Sequence, residues 1–218
     1  MNVVITGANR GIGLELARIF AGRGARVIAA VRRRSAALQQ LGVDIHTCDV
    51  SDPASVAAFA AALAETPVHV LINNAGVLSR ETLDDLDEDR IRHQFEVNAL
   101  GPLRTTRALR GNLVAGSKVV IVTSRMGSIA DNTSGGMYGY RMSKSAVNQA
   151  GRSLAHDLEP KGVHVLLLHP GYVRTGMTGG NGHIDPAESA QGLVARIDGL
   201  DATKSGRFFH QNGEELPW

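Results

Sequence analysis

Tyr140 and Lys144 stand four residues apart in the run Tyr138-Gly139-Tyr140-Arg141-Met142-Ser143-Lys144, a spacing that puts both side chains on one face of a helix. A phenol exchanges protons poorly near neutrality, because its unperturbed pKa is about 10. A neighbouring ammonium favours the phenolate, and lowering the pKa by about three units takes roughly 4 kcal/mol of differential interaction. The pair therefore predicts a general acid/base. Tyr138 lies six positions from Lys144 and points elsewhere on such a helix. Upstream, the apolar run Val119–Val122 ends at Thr123-Ser124. That puts the Ser124 hydroxyl at a strand C-terminus, where open α/β sheets hold their ligands and where it can polarise a carbonyl. Ser128 is the alternative if the following loop is threaded differently. Taken alone, these residues also read as an ordinary helical Tyr/Lys pair and a strand-ending serine.

A second chemistry sits near the N-terminus. Thr6-Gly7-Ala8-Asn9-Arg10-Gly11-Ile12-Gly13 follows the first apolar run directly, and an amphipathic helix starts inside it. Glycines there remove the Cβ atoms that would keep a pyrophosphate from backbone N–H groups, and the helix N-terminus adds its partial positive charge. The spacing is GxxxGxG rather than GxGxxG, so by itself the turn also reads as a tight connection. After the second apolar run, where a carboxylate for the ribose 2′-hydroxyl of NAD is usual, the chain has Val31-Arg32-Arg33-Arg34. Arg32 and Arg10 predict contacts to a 2′-phosphate, hence NADP(H), with Arg33 as the substitute. The alternative is a solvated basic turn.

These groups need elements to hold them. Short apolar runs recur at Val3–Thr6, Arg26–Val31, Val43–Thr47, Val68–Asn73, Lys118–Thr123, His164–His169 and Gly206–His210, each bounded by turn residues, and predict buried strands. Helical patterns alternate with them. Ile12, Leu16, Ile19 and Phe20 share a face before Gly22 and Gly24. Ser51-Asp52-Pro53 caps a stretch running to Glu65. Further helices are expected at Asp87 to Arg110, Tyr138 to Leu158 and Pro186 to Ile197. The alternation predicts an α/β fold, a Rossmann-type doubly wound parallel sheet of about seven strands with helices on both faces. No linker or repeat divides residues 1–218, so one domain is expected.

Composition excludes other classes. The chain has 218 residues, 43% hydrophobic and 20% charged, with a mean hydropathy of −0.06, which fits neither disorder nor a membrane span. Lys and Arg (23) nearly balance Asp and Glu (21), so nucleic acid is not an expected partner. The single cysteine, Cys48, cannot form an internal disulfide or build a metal site alone, and the eight histidines show no HExxH spacing, so no metal is expected. Cys48, His46 and His169 read as core or strand-end residues. Met1–Gly7 has no basic segment or long apolar run of a signal peptide. A cytoplasmic location is the expectation.

Together, Thr6-Gly7-x-x-x-Gly11-x-Gly13, Asn73-Asn74-Ala75-Gly76, Asn98, Ser124, Tyr140-x-x-x-Lys144 and Pro170-Gly171 fall in the order and strand positions of the short-chain dehydrogenase/reductase family, which the whole chain resembles. The Arg141–Lys144 stretch, the Asn132–Gly136 insert and the ending Gly206-Arg207-Phe208-Phe209…Leu216-Pro217-Trp218 resemble its C-factor and sniffer-type carbonyl reductase branch. The resemblance implies that Tyr140 is the proton donor/acceptor, and that Lys144 binds the nicotinamide ribose and depresses the tyrosine pKa. It further implies that Ser124 orients the substrate oxygen and that Asn98 holds a water in a proton relay, although Asn98 also reads as a residue satisfying buried backbone. Cofactor contacts are implied for Gly7, Asn9, Arg10, Gly11, Ile12 and Gly13, and for Asp49 and Val50 at the adenine. Asn74, Ala75 and Gly76 are implied beside the adenosine, and Pro170, Gly171, Val173 and Thr175 around the nicotinamide. Asp49 reads equally as a turn residue.

The implied function is hydride transfer between NADP(H) and a carbonyl or alcohol, with aldehyde or ketone reduction favoured. The C-factor likeness carries the alternative of a dinucleotide-binding regulatory or intercellular signalling protein. A homodimer is implied through residues Leu83 to Leu113 and the helix after Tyr140, whose Ala146, Ala150, Gly151 and Ala155 would permit close approach. The gap from Ser124 to Tyr140 is 16 positions, longer than in compact family members. A shallow pocket is expected between a flexible Gly176–Gly182 segment carrying Met177 and a Met126–Gly139 wall carrying Ile129 and Met137.

Overall fold

The computed structural model describes residues 1–218. Seven strands, β1 (Asn2–Thr6), β2 (Arg26–Val31), β3 (Asp44–Thr47), β4 (Val68–Asn73), β5 (Leu113–Val122), β6 (His164–His169) and β7 (Arg207–His210), form one sheet in the order β3-β2-β1-β4-β5-β6-β7. Every pairing is parallel. The helices are α1 (Gly11–Gly22), α2 (Ala36–Gln39), α3 (Pro53–Leu63), α4 (Glu88–Phe95), α5 (Gly101–Ala108), α6 (Tyr138–Leu158) and α7 (Pro186–Asp198). No helix is long and apolar enough to cross a membrane.

Alternation along the strands divides the core into two layers. Val4, Ile28, Leu71, Val119, Ile121 and Val165 pack with Phe59 of α3 and with Val147 and Leu154 of α6. Val3, Ile5, Val27, Ile72, Val120 and Leu166 face the other way, onto Leu16 and Phe20 of α1 and Leu193 and Ile197 of α7. Burial of each such side chain stabilises the fold by about 1.5–3 kcal/mol. With both faces covered, the strands must be apolar throughout.

Local chemistry moves several boundaries from those the sequence predicts. The expected helix from Asp87 to Arg110 is interrupted by a π-helical turn at Glu96–Leu100. Pro102 has no N–H to continue the ladder, and Gly101 sits where an added Cβ would lie 3.0 Å from Val50 Cγ2. Strand β5 starts at Leu113, ahead of the expected Lys118, because buried Ser117 accepts from Val114 N–H and donates to Val68 O across a register shift. Helix α2, unpredicted, is a single turn capped by Ser35. Of the small residues of α6, Gly151 and Ala155 face inward: a Cβ on Gly151 would lie 2.8 Å from Leu167 Cδ2, and Ala155 is buried in the core.

From β1 the chain winds outward through β2 and β3, then returns to β4 on the other side of β1. That reversal opens a crevice at the strand C-termini. The β1–α1 turn lies in it, with Gly7 (φ +69°) and Gly11 (φ +54°) in the left-handed region. A Cβ on Gly13 would lie 2.4 Å from Gly7 O and 2.5 Å from Asn74 Nδ2. Gly13→Ala is therefore expected to destabilise the fold by about 2 kcal/mol and to weaken dinucleotide binding. Denaturant melts and a fluorescence titration check this, and unchanged stability would show that the contact yields.

Candidate active site

A cleft of about 760 Å³ runs across the crevice. Gly7, Asn9, Arg10, Gly11, Ile12, Gly13, Arg32, Asp49, Val50, Asn74, Ala75, Gly76, Tyr140, Lys144, Pro170 and Thr175 line it, together with Arg33. Residues first singled out from sequence thus meet on one surface. Val31, Val77, Val97, Val122, Thr123, Gly176 and Met177 also line it. The cue for most of these was only that they flank the motifs.

One half of the cleft suits a phosphorylated dinucleotide. Helix α1 starts at Arg10 with no side-chain cap and no acidic residue in its first turn, so its first N–H groups are free for an anion. At Gly11 an added Cβ would meet only the Thr175 side chain, 3.5 Å away, whereas at Gly7 and Gly13 it would strike Ala75, Asn74 and the turn's own backbone. Arg10, Arg32 and Arg33 are exposed on the wall and make no ion pair within the protein. Asp49 Oδ1 accepts from Ser51 N–H at 2.9 Å and Ser51 Oγ–H at 2.6 Å. Burial would raise the Asp49 pKa, but the Ser51 bonds and the Arg32 charge outweigh it and hold the carboxyl below its ordinary value. Cys48 lines the cleft as an inert thiol, pushed up to about 11 by burial.

The other half holds the titratable pair. Tyr140, the third residue of α6, is 9% exposed and Lys144 5%. The ammonium lies 5.7 Å from the phenol ring centroid and donates to Val122 O at 2.9 Å. Burial raises the Tyr140 pKa, partly opposed by the Ser124 hydroxyl. Burial also lowers Lys144 to about 8. Burial thus acts on both groups in opposite directions, raising the phenol and lowering the ammonium. Ser124 lies behind the cleft wall, 6% exposed, and also accepts from Met126 N–H at 3.1 Å. Ser128 is turned to Asp131 N–H, and Tyr138 is absent from the wall.

Asn98 is buried within the π-helical turn. Its Oδ1 accepts from Val77 N–H at 2.9 Å, and its Nδ2 donates to Val77 O at 2.9 Å and Ser143 Oγ at 3.0 Å. Ser143 in turn donates to Tyr140 O at 2.8 Å. Both amide donors are thus committed to structure, which favours the reading of Asn98 as a satisfier of buried backbone. A Cβ on Gly76 would lie 3.3 Å from Asn98 Oδ1 and 3.9 Å from Lys144 Nζ, so these groups meet at one point. Ser143 was missed, its position beside Lys144 being the only cue.

Beyond β6, Pro170 and Thr175 reach the cleft, while Gly171 and Val173 stand behind it. Gly171 (φ +89°) packs on Ile184, and Val173 bridges to Ile184. The 174–184 segment is no loose flap. Arg174 N–H donates to Ile184 O, Gly180 N–H to Thr175 O and His183 N–H to Tyr172 O. Met177 lines the cleft, but Ile129 is 80% exposed and neither it nor Met137 joins the wall.

The family model described as short chain dehydrogenase matches residues 1–184. This chain belongs to the short-chain dehydrogenase/reductase family. It is 46% identical over 223 residues, 99% of each chain, to 1-hydroxy-2-glutathionyl-2-methyl-3-butene dehydrogenase of Rhodococcus sp. (strain AD45). To C-signal of Myxococcus xanthus it is 49% identical over 164 residues, 74% of this chain and 99% of that one. Among solved structures, NADPH-bound carbonyl reductase from chicken fatty liver superposes with a TM-score of 0.92 at 28% identity, covering 100% of this chain and 98% of the other. The chain is accordingly an oxidoreductase of this family, acting between a carbonyl or alcohol and a nicotinamide dinucleotide, and NADP(H) is what the avian neighbour carries.

The buried lysine has a consequence for stability. Its folded pKa of about 8 lies below its ordinary 10.5, so between these values the unfolded chain binds more protons and stability rises with pH. Below about pH 8 the penalty is at its full size. Cys48, with its raised pKa, acts in the opposite sense above pH 9, so the measurement is the difference between wild type and Lys144→Met. Relative to the variant, wild type is expected to gain roughly 3 kcal/mol between pH 8 and 10.5. A flat difference in denaturant melts across that window would exclude it.

Proposed function

We propose that this reductase transfers hydride from NADPH to an aldehyde or ketone, with Tyr140 giving the proton, Ser124 orienting the carbonyl oxygen and Lys144 holding the ribose. The observation that carries this reading is the buried phenol on the wall of the large cleft, sharing a helix face with Lys144. When bound, the cofactor supplies the hydride. Burial keeps Tyr140 protonated at neutral pH, which suits the donor role in reduction. Lys144, with a pKa of about 8, exchanges its proton near physiological pH and can pass one to the tyrosine after each turnover. Asn98 fastens Val77 to α6 through Ser143, and we assign it a positioning role ahead of the water relay that the resemblance implied.

Arg32 and Arg10 are read as the 2′-phosphate contacts, supported by their place on the wall without an internal partner. The homodimer is assigned to the outer surfaces of α5 and α6, where Leu103 and Met142 are exposed. A cytoplasmic location fits a lone thiol kept reduced. The similarity to C-signal supports a second reading, regulation or signalling through dinucleotide binding with little turnover.

Tyr140→Phe is expected to abolish turnover and to leave NADPH bound. The assay is NADPH oxidation over aldehydes, ketones and quinones, with NADP-linked oxidation of a glutathionyl alcohol included because the Rhodococcus relative is named for one. Wild-type rate in Tyr140→Phe would remove the tyrosine from the chemistry. No turnover by wild type that binds NADPH would favour signalling.

Arg32→Asp is expected to move the kcat/KM ratio toward NADH by at least about tenfold, some 1.4 kcal/mol of lost phosphate contact. Equal kcat/KM for the two cofactors in wild type would overturn the assignment.

A further inference from the structure

Helix α6 begins without a cap of its own. Met137 precedes it in the left-handed region at φ +51°, makes no side-chain hydrogen bond to the first turn, and no acidic residue lies there. The acceptors come instead from a segment more than fifty residues away in sequence. Glu81 O accepts from Met137 N–H at 2.9 Å, and Glu81 Oε2 accepts from Gly139 N–H at 3.3 Å. Its Oε1 accepts from Gln94 Nε2–H at 3.0 Å and from the Ser79 hydroxyl in a short bond. Ser79 N–H returns to Gln94 Oε1 at 3.0 Å, which closes the network.

Glu81 is only 2% exposed, and none of the ion pairs in the protein includes it. A buried carboxylate without a counter-cation is costly unless fixed donors surround it. Here every partner is a donor, and one is the positive end of a 21-residue helix. The joint has no slack, since a Cβ on Gly139 would lie 2.3 Å from Gln94 Nε2 and 3.0 Å from Ile91 Cα. The next residue is Tyr140.

We propose that Glu81 is a positioning residue for Tyr140: its carboxylate, held by Ser79 and Gln94, caps α6 from outside and sets where the phenol stands in the cleft. This rests on the reading of Tyr140 as the proton donor. Glu81 and Gln94 line no part of the cleft, and Tyr140 lies closer to the cap than Lys144 does, so their effect falls on turnover more than on NADPH affinity.

The test compares wild type with Glu81→Ala, Glu81→Gln, Gly139→Ala and Tyr140→Phe. NADPH fluorescence titration counts binding sites and gives Kd, and steady-state reduction of a carbonyl that the wild type turns over gives kcat per counted site. Glu81→Ala is expected to lower kcat per site by about tenfold or more, the scale on which a small displacement of a reacting group acts, with a much smaller change in Kd. Glu81→Gln keeps an acceptor for Gly139 N–H and recovers most of that loss. Gly139→Ala, which forces the same joint apart, reproduces the effect. Wild-type kcat per site in Glu81→Ala overturns the proposal, as does a loss of binding sites alone, which marks a merely structural carboxylate. If Glu81→Ala does not fold, wild-type kcat per site in Gly139→Ala overturns it. Tyr140→Phe keeps the two ideas apart. Wild-type rate there defeats the proton-donor reading, whereas loss of turnover there beside an unimpaired Glu81→Ala defeats only the positioning role.

Discussion

Four hydrogen bonds hold the ends of β1 and β4 together where sheet pairing has run out. The last paired residues are Ile5 and Ile72. Beyond them the Thr6 hydroxyl accepts from Asn74 N–H and Ala75 N–H, each at 3.0 Å, and Asn74 Nδ2 donates to Thr6 O at 3.0 Å and Gly7 O at 3.2 Å. Side chains thus take over from backbone at the point where strand order reverses, which keeps the crevice open without leaving its polar groups unsatisfied. The glycine turn is fixed against Asn74, α1 starts with its N–H groups toward the cleft, and Gly76 is set beside Asn98 and Lys144. Asn74 thereby holds the glycine turn in place.

Burial is the other shared constraint, and it acts in opposite directions on the reactive pair. It raises Tyr140 and lowers Lys144 to about 8. Both shifts favour the neutral side chains, as desolvation must. The protein alone therefore prepares a phenol, not a phenolate. A phenol is the form that reduction of a carbonyl needs, whereas alcohol oxidation needs the phenolate, which burial disfavours.

Much of this was legible in the sequence because the information was local or periodic. The seven apolar runs became the seven strands, and the bounds of α6 followed from its pattern and its tyrosines. The glycine turn and Tyr140–Lys144 are spacings of a few residues, which a linear reading captures. What escaped it depends on packing between distant segments. The π-helical turn at Glu96–Leu100 follows from Gly101 pressing on Val50 and from the Asn98 amide closing on Val77, neither of which a heptad pattern records. Ile129 was expected on a wall because it is apolar, yet the backbone turns it to solvent. Glu81 carried no cue at all: an acidic residue amid Asp84, Asp85 and Asp87 looks solvated, and only the tertiary fold takes this one carboxylate out of water.

The division of labour within the fold also bears on whether catalysis or binding alone is the selected property. The dinucleotide half is built from β1 to α3 and the Asn74 clamp, and a sensor of cofactor state would need little more. The reactive half is a separate construction, in which Ser124 lies two residues past the end of β5, Tyr140 and Lys144 share α6, and Ser143, Asn98 and Val77 tie that helix to the loop after β4. Keeping a phenol at 9% exposure beside a lysine at 5% costs stability, and dinucleotide binding alone gives no use for the phenol. Where a fold carries desolvated titratable groups in a fixed arrangement beside a cofactor cleft, proton transfer is the function that accounts for the cost.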